Sequence, residues 1–190
     1  MASIVTMLSF SPSLSMWRQK LALKGTSMQV STQFPGLWWF LGLPWLVLMD
    51  QISKIWIIKN ISYGQIVDII PSLNFTHAHN YGIAFSLLNN KMQIVQIALI
   101  AFAILICGGL GIWLSKVPLK DKWLGIALVF ILGGAIGNLI DRIRFGYVID
   151  FIDCYWRTWH FYTFNLADSF ITIGALMIIK TIIFSPPDQL

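Results

Sequence analysis

The chain has 190 residues, 57% of them hydrophobic and only 11% charged, with a mean hydropathy of +0.73. A soluble domain of this length cannot hide so much apolar surface, whereas a bilayer accepts runs of about 20 apolar residues as helices, so the composition excludes a water-soluble globule. The net charge of +5 does not point to nucleic acid, because Lys and Arg are scattered through short segments without forming a basic face.

Residues 1–36 contain no acid and carry Arg18, Lys20 and Lys24 among several Ser and Thr, which reads as a basic leader or a cytoplasmic tail, with Met28 as an alternative start. Leu37 to Ile58 is apolar, Trp-rich and long enough to span. It carries Asp50 and Lys54 at a spacing of four, where they can pair on one helix face and lower the cost of burying either. An anchoring ion pair and a part in chemistry both fit that spacing.

Residues 62–90 bring Gly, Pro, Asn and His, with β-prone pieces at Ile66 to Ile70 and Leu73 to Phe75 that predict a small strand-rich excursion outside the bilayer. His77 and His79 make half a metal site at most, and no His or Cys cluster elsewhere completes it, so they read as strand-exposed histidines. Met92 to Leu114 is a second span, followed by Lys116, Lys120 and Lys122. Trp123 to Ile140 is a third, with Gly133 and Gly137 at a spacing that lets helices approach closely. It closes on Asn138, Asp141 and Arg142. A polar and aromatic interval, Gly146 to Ser169, leads into a fourth span at Leu166 to Phe184 and a short tail, 186–190. Cys107 and Cys154 have neither disulfide nor metal-ligand spacing.

Four spans put both termini on one side, and the positive-inside rule assigns that side, with the Lys116 to Lys122 loop, to the cytoplasm. The remaining polar residues then gather at the other face: Asp50 and Lys54 near the outer end of the first span, Asn80 in the outer loop, Asn138, Asp141 and Arg142 closing the third, and Asn165 and Asp168 opening the fourth. Such convergence suits a site at the membrane surface.

All eight acids are Asp, and Asp150 and Asp168 lie in the interval between the last two spans. Two carboxylates held close together cannot both ionise, so they share a proton and can act as base and acid in peptide hydrolysis without a covalent intermediate. Spacing alone leaves a second arrangement open, in which Asp150 meets Arg142 or Arg144. Ser169 and Cys154 lack a placed base. Asn165, three residues before Asp168, would share its helix face and could hold a substrate backbone. A proton-coupled transporter or channel subunit, or a structural subunit with ion-paired helices, also uses intramembrane acids, but a transporter predicts ionisable residues through the membrane depth and an internal repeat.

The blocks Asp50-Gln51-X-X-Lys54, Asn80-X-Gly82-X-Ala84-Phe85-Ser86, Gly133 to Arg142, Gly146-X-Val148-X-Asp150-Phe151 and Phe164-Asn165-X-Ala167-Asp168-Ser169 resemble, in order, those of the lipoprotein signal peptidases, the type II signal peptidases of bacteria. The resemblance implies a four-helix membrane peptidase domain over 37–185, with a small extracytoplasmic β-rich cradle and an aspartic mechanism that needs no cofactor or metal. It implies Asp150 and Asp168 as the catalytic pair. Asn80, Asn138, Arg142 and Asn165 would contact substrate or dyad, Asp50, Lys54 and Asp141 would support the site, and Gly82 and Ala167, inside the matching blocks, would bind substrate or support the site as well. The implied partners are membrane lipid and a prolipoprotein whose diacylglyceryl Cys follows the scissile bond. The enzyme would act as a monomer in a bacterial inner membrane, or in a plastid-like membrane if the leader is a transit peptide. Asp153 adds a third acid close to the pair in sequence, where it could share or raise their proton affinity.

Overall fold

The computed structural model describes residues 34–82 and 93–184. The leader, the Ala84-Phe85-Ser86 part of the second block and the tail lie outside the described residues.

A short 3-10 turn, Leu37–Gly42, leads into helix α1, Leu43–Asn60, whose Pro44 sits in the first turn, where its missing N–H costs nothing. Two strands follow, β1 at Ile66–Ile70 and β2 at Leu73–Asn80, then α2 at Gln93–Lys116 and α3 at Lys122–Phe145. Strands β3, Val148–Trp156, and β4, Trp159–His160, precede α4, Leu166–Phe184. By length and apolar composition four segments qualify as membrane spans, Leu37–Asn60, Gln93–Lys116, Lys122–Phe145 and Leu166–Ile183. The protein is therefore an α-helical membrane protein with a small antiparallel sheet.

Helix α3 is the central element. It packs chiefly against α4 and also against α1 and α2, and it alone of the four carries a long run of buried positions. Leu128, Val129 and Leu132 join Leu43, Leu114 and Val117 in one apolar core. Small residues set its approach to α4 and α1: a Cβ added at Gly134 would run into the Ala167 carbonyl of α4, and one added at Gly137 would lie 2.5 Å from Asp50 Oδ2 of α1. The helix does not stop near Ile140 as the apolar run suggests. It continues to Phe145, because Asn138 and Asp141 find partners inside the protein, and it ends on Gly146 in the left-handed conformation (φ 75°), whose N–H returns to the Arg142 carbonyl.

The sheet has the order β1-β2-β3-β4, antiparallel throughout. The first strand matches its sequence expectation, but β2 runs on to Asn80, and the interval after Gly146 is a strand that its composition does not announce. Alternation along β3 sends Ile149 and Phe151 into a second core with Ile57 and Ile61 beneath the sheet, and leaves Val148 and Asp150 on the opposite face. Between the pairs Phe75↔Ile152 and Ala78↔Asp150, β2 has one residue more than β3. This is a β-bulge, and its strict alternation breaks there, so that the consecutive residues Thr76 and His77 are both buried. After it, Ala78 lies opposite Asp150 and Asn80 opposite Val148.

Candidate active site

The sheet follows the C-terminal end of α1, receives the C-terminal end of α3 and leads into the N-terminal end of α4, so the polar ends of three helices meet under it. Asn165 is the N-cap of α4. Its Oδ1 accepts the Asp168 N–H at 3.0 Å, and Asp168 Oδ2 accepts the Asn165 N–H at 3.3 Å, a reciprocal capping box. Another first-turn donor, the N–H of Ala167, goes to Asp50 Oδ1 at 3.0 Å. Carboxylates at a helix N-terminus also oppose its macrodipole. The start of α4 is thereby pinned by a side chain from α1 and by its own capping pair.

Asn165 also reaches across to the strand, donating from Nδ2 to Asp150 Oδ1 at 2.7 Å. The other oxygen of Asp150 accepts Asn80 Nδ2 at 3.0 Å, and Asn80 Oδ1 in turn accepts the Gly82 N–H at 3.0 Å. Asp168 Oδ1 accepts Asn138 Nδ2 at 2.8 Å. Asn138 Oδ1 receives Lys54 Nζ at 2.9 Å and Asn165 Nδ2 at 3.2 Å. Lys54 is fully buried between two carboxylates, Asp50 and Asp141, each at 2.8 Å. Its charge would be prohibitively costly there alone, and two acids plus an amide oxygen offset that cost. Gln51 completes the cluster by donating to Asp141 at 2.9 Å and to Asp50 and the Gly137 carbonyl at 3.2 Å.

Arg142 donates to the Gly82 carbonyl at 2.8 Å, and no described hydrogen bond or ion pair joins Asp150 to Arg142 or Arg144; Asp150 is held by two asparagines instead. Asn165, fully buried, spends its side chain on the cap and on Asp150. Asp153 is likewise engaged elsewhere, with His160 at 2.9 Å and Asn74 at 3.1 Å. His77 is buried rather than strand-exposed, because the bulge in β2 turns it under the sheet, where Nδ1 donates to the Ile61 carbonyl at 2.9 Å.

Asp150 and Asp168 both line one cavity of about 660 Å³, together with Asn80, Asn138 and Arg142. Its other walls are Val148, the aromatic stretch Phe161 to Phe164, and the Ile171–Ile173 face of α4. One part of the cavity is polar and the rest apolar. Burial, with the nearby Asp168 charge adding to it, pushes the Asp150 carboxyl up to about 7, against the opposing hydrogen bonds of Asn80 and Asn165. At neutral pH this carboxyl is therefore about half protonated, where an exposed aspartate would be ionised. Among the described residues no three His, Cys, Asp or Glu side chains form a metal-ligand set.

Sequence reasoning missed Gln51 as part of the ion-pair cluster, although its spacing of three from Lys54 puts both on one helix face. It also missed Thr172, one turn beyond Asp168 on the cavity side of α4.

Comparison with known proteins agrees with this architecture. The family described as signal peptidase (SPase) II matches residues 43–184. A lipoprotein signal peptidase of Shewanella sediminis (strain HAW-EB3) is 42% identical over 148 residues, covering 76% of this chain and 82% of its own. Another, from Vibrio cholerae serotype O1 (strain M66-2), is 42% identical over 150 residues, covering 76% and 85%. A bacterial membrane enzyme solved by the in meso method at 2.3 Å superposes with a TM-score of 0.71 at 30% identity, over 80% of this chain and 91% of that one. With its four spans, its sheet and these relatives, the chain belongs to the signal peptidase II family, the lipoprotein signal peptidases, and is an integral membrane protease.

Proposed function

We propose that the chain is an aspartic endopeptidase that removes the signal peptide from diacylglyceryl-modified prolipoproteins, cutting before the lipidated Cys. The observation that carries this reading is the cavity that Asp150 and Asp168 both line, with an apolar wall. In the reactive form Asp150 carries the shared proton, and Asp168 takes a proton from water as the water attacks the scissile carbonyl. Asp150 then gives its proton to the departing amine, and the pair returns to one proton. Asn138 and Asn165 hold the two carboxylates in register through this exchange, so no reorganisation is needed during the step. Arg142, tied to the Gly82 carbonyl, lies where it can meet the substrate backbone.

The apolar Phe161, Phe164, Ile171 and Ile173 surface suits acyl chains that remain in lipid while the peptide reaches the acids. The basic leader and the Lys116 to Lys122 loop support cytoplasmic termini and a site at the outer face of a bacterial inner membrane.

The test is cleavage in liposomes of a prolipoprotein with and without its diacylglyceryl group, with the product mapped by mass spectrometry. The expected result is a single cut before the modified Cys and little cleavage of the unmodified precursor. Equal cleavage of both, or a cut elsewhere, would exclude the reading.

A further inference from the structure

Asp150 is shared by two cavities. The second, of about 390 Å³, has Asn80, Asp150 and the Phe161 to Thr163 wall in common with the first. It has none of the α4 residues, and Ala78, His79 and His160 take their place. One cavity is thus walled in part by a membrane-spanning helix and the other by strands and the loop after β4, with Asp150 at their boundary.

The two imidazoles are fixed in different ways. A carbonyl oxygen only accepts, so the Ile61 contact at 2.9 Å puts the His77 proton on Nδ1, and His79 donates from Nε2 to His77 Nε2 at 3.2 Å. With Tyr147 stacked on it, centroids 3.8 Å apart, His79 is a fixed side of the cavity. His160 is oriented by a carboxylate. Its Nδ1 donates to Asp153, 2.9 and 3.0 Å from the two oxygens, and Asp153 is itself buried and held by Asn74 at 3.1 Å. The ring also stacks on Tyr155. A proton on Nδ1 makes Nε2 the acceptor that neutral His160 offers.

The direction of the substrate follows from the peptidase reading, on which this inference rests. Asp150 protonates the departing amine, so the chain beyond that amine leaves from the Asp150 side. The signal peptide and the acyl chains are apolar and belong with the α4 wall, whereas the chain after the Cys belongs to a mature protein in water and has the polar cavity to enter.

We propose that the second cavity holds the residue immediately after the lipidated Cys, and that His160, positioned by Asp153, selects a hydrogen-bond donor there by accepting it on Nε2. A carboxylate in that place meets an acceptor nitrogen and stands beside Asp150, and an alkyl side chain leaves the nitrogen without a partner, so both are disfavoured.

Three diacylglyceryl prolipoproteins that differ only in this residue, as Asn, Asp or Leu, test it in competition in one liposome reaction, where the ratio of kcat/KM values does not depend on how much enzyme is folded. The parent cuts the Asn substrate about tenfold better than either of the others. His160→Leu brings the Asn-to-Leu ratio close to one. Asp153→Asn turns an amide N–H towards Nδ1, moves the ring proton to Nε2 and reverses the Asn-to-Asp preference, which a purely structural role for the pair would not do. Equal cleavage of the three by the parent, or a preference that persists in either variant, overturns the proposal and leaves the peptidase reading intact. If the parent cuts none of them, that reading falls and the proposal with it.

Discussion

The Asn165 side-chain amide donates to Asp150 at 2.7 Å while the Asn165 main-chain N–H donates to Asp168 at 3.3 Å, so one residue spans the two acids. It is also the N-cap of α4. Its helix-capping and dyad-bridging roles can be separated, because serine also caps helices but is too short to reach the strand. Asn165→Ser is expected to lower the melting temperature by no more than about 2–4 °C, about 1 kcal/mol for the lost hydrogen bond to the strand, while cleavage falls by about 100-fold. Parallel losses of stability and activity would instead mean that Asn165 only caps.

The pH profile follows from Asp150. The proposed mechanism needs one proton on the pair, and with Asp150 raised to about 7 that proton leaves as pH rises through neutrality. Cleavage should therefore decline on an alkaline limb near pH 7, an apparent value belonging to the coupled pair. Asn80 hydrogen-bonds the ionised form and pulls the value down. Asn80→Ala removes that pull, so the proton is held to higher pH and the limb moves upward by on the order of one unit. A limb that stays in place or moves downward would contradict this assignment.

Lys54 gives a stability prediction. Replacing it with Met leaves Asp50 and Asp141 buried without their counter-charge, a loss of about 3–5 kcal/mol. Lys54→Met combined with Asp141→Asn should recover part of that loss, because one of the two orphaned charges is gone. The melting temperatures of the two variants in one detergent check it.

Glycines on different helices should respond oppositely to the same change. At Gly137 an added methyl sits 2.5 Å from Asp50 Oδ2 and must displace it, so Gly137→Ala should cost about 1–3 kcal/mol and most of the activity. At Gly108 an added Cβ would meet no neighbouring atom of the described residues within 4 Å, and Gly108→Ala should be neutral or stabilising by up to about 1 kcal/mol through helix propensity. Thermal unfolding and cleavage rate, measured on both, decide it.

The spans were legible because apolar runs long enough to cross a bilayer have few other uses, and α4 begins and ends where its run does. The Asp50–Lys54 pair was legible from helical spacing, and the pair is closed at 2.8 Å. Strand β3 was not, because Val148 to Phe151 are all buried, against a helical core on one side and the cavity on the other, so no period of two shows in the sequence. The burial of His77 depends on a bulge, and one inserted residue in a register leaves no local signature. The partners of Asp150 were illegible for a related reason: Asn80 and Asn165 reach it through strand pairing and a helix cap, 70 and 15 residues away in the chain.

The central claim is that Asp150 and Asp168 act as one acid–base unit. It is tested most directly by comparing cleavage of a diacylglyceryl prolipoprotein by the parent, Asp150→Asn, Asp168→Asn and the double variant, all at matched folded concentration. Each single substitution should abolish nearly all cleavage, and the double variant should be no worse than either, since the two residues share one step. Near-parent cleavage by either single variant would contradict the account.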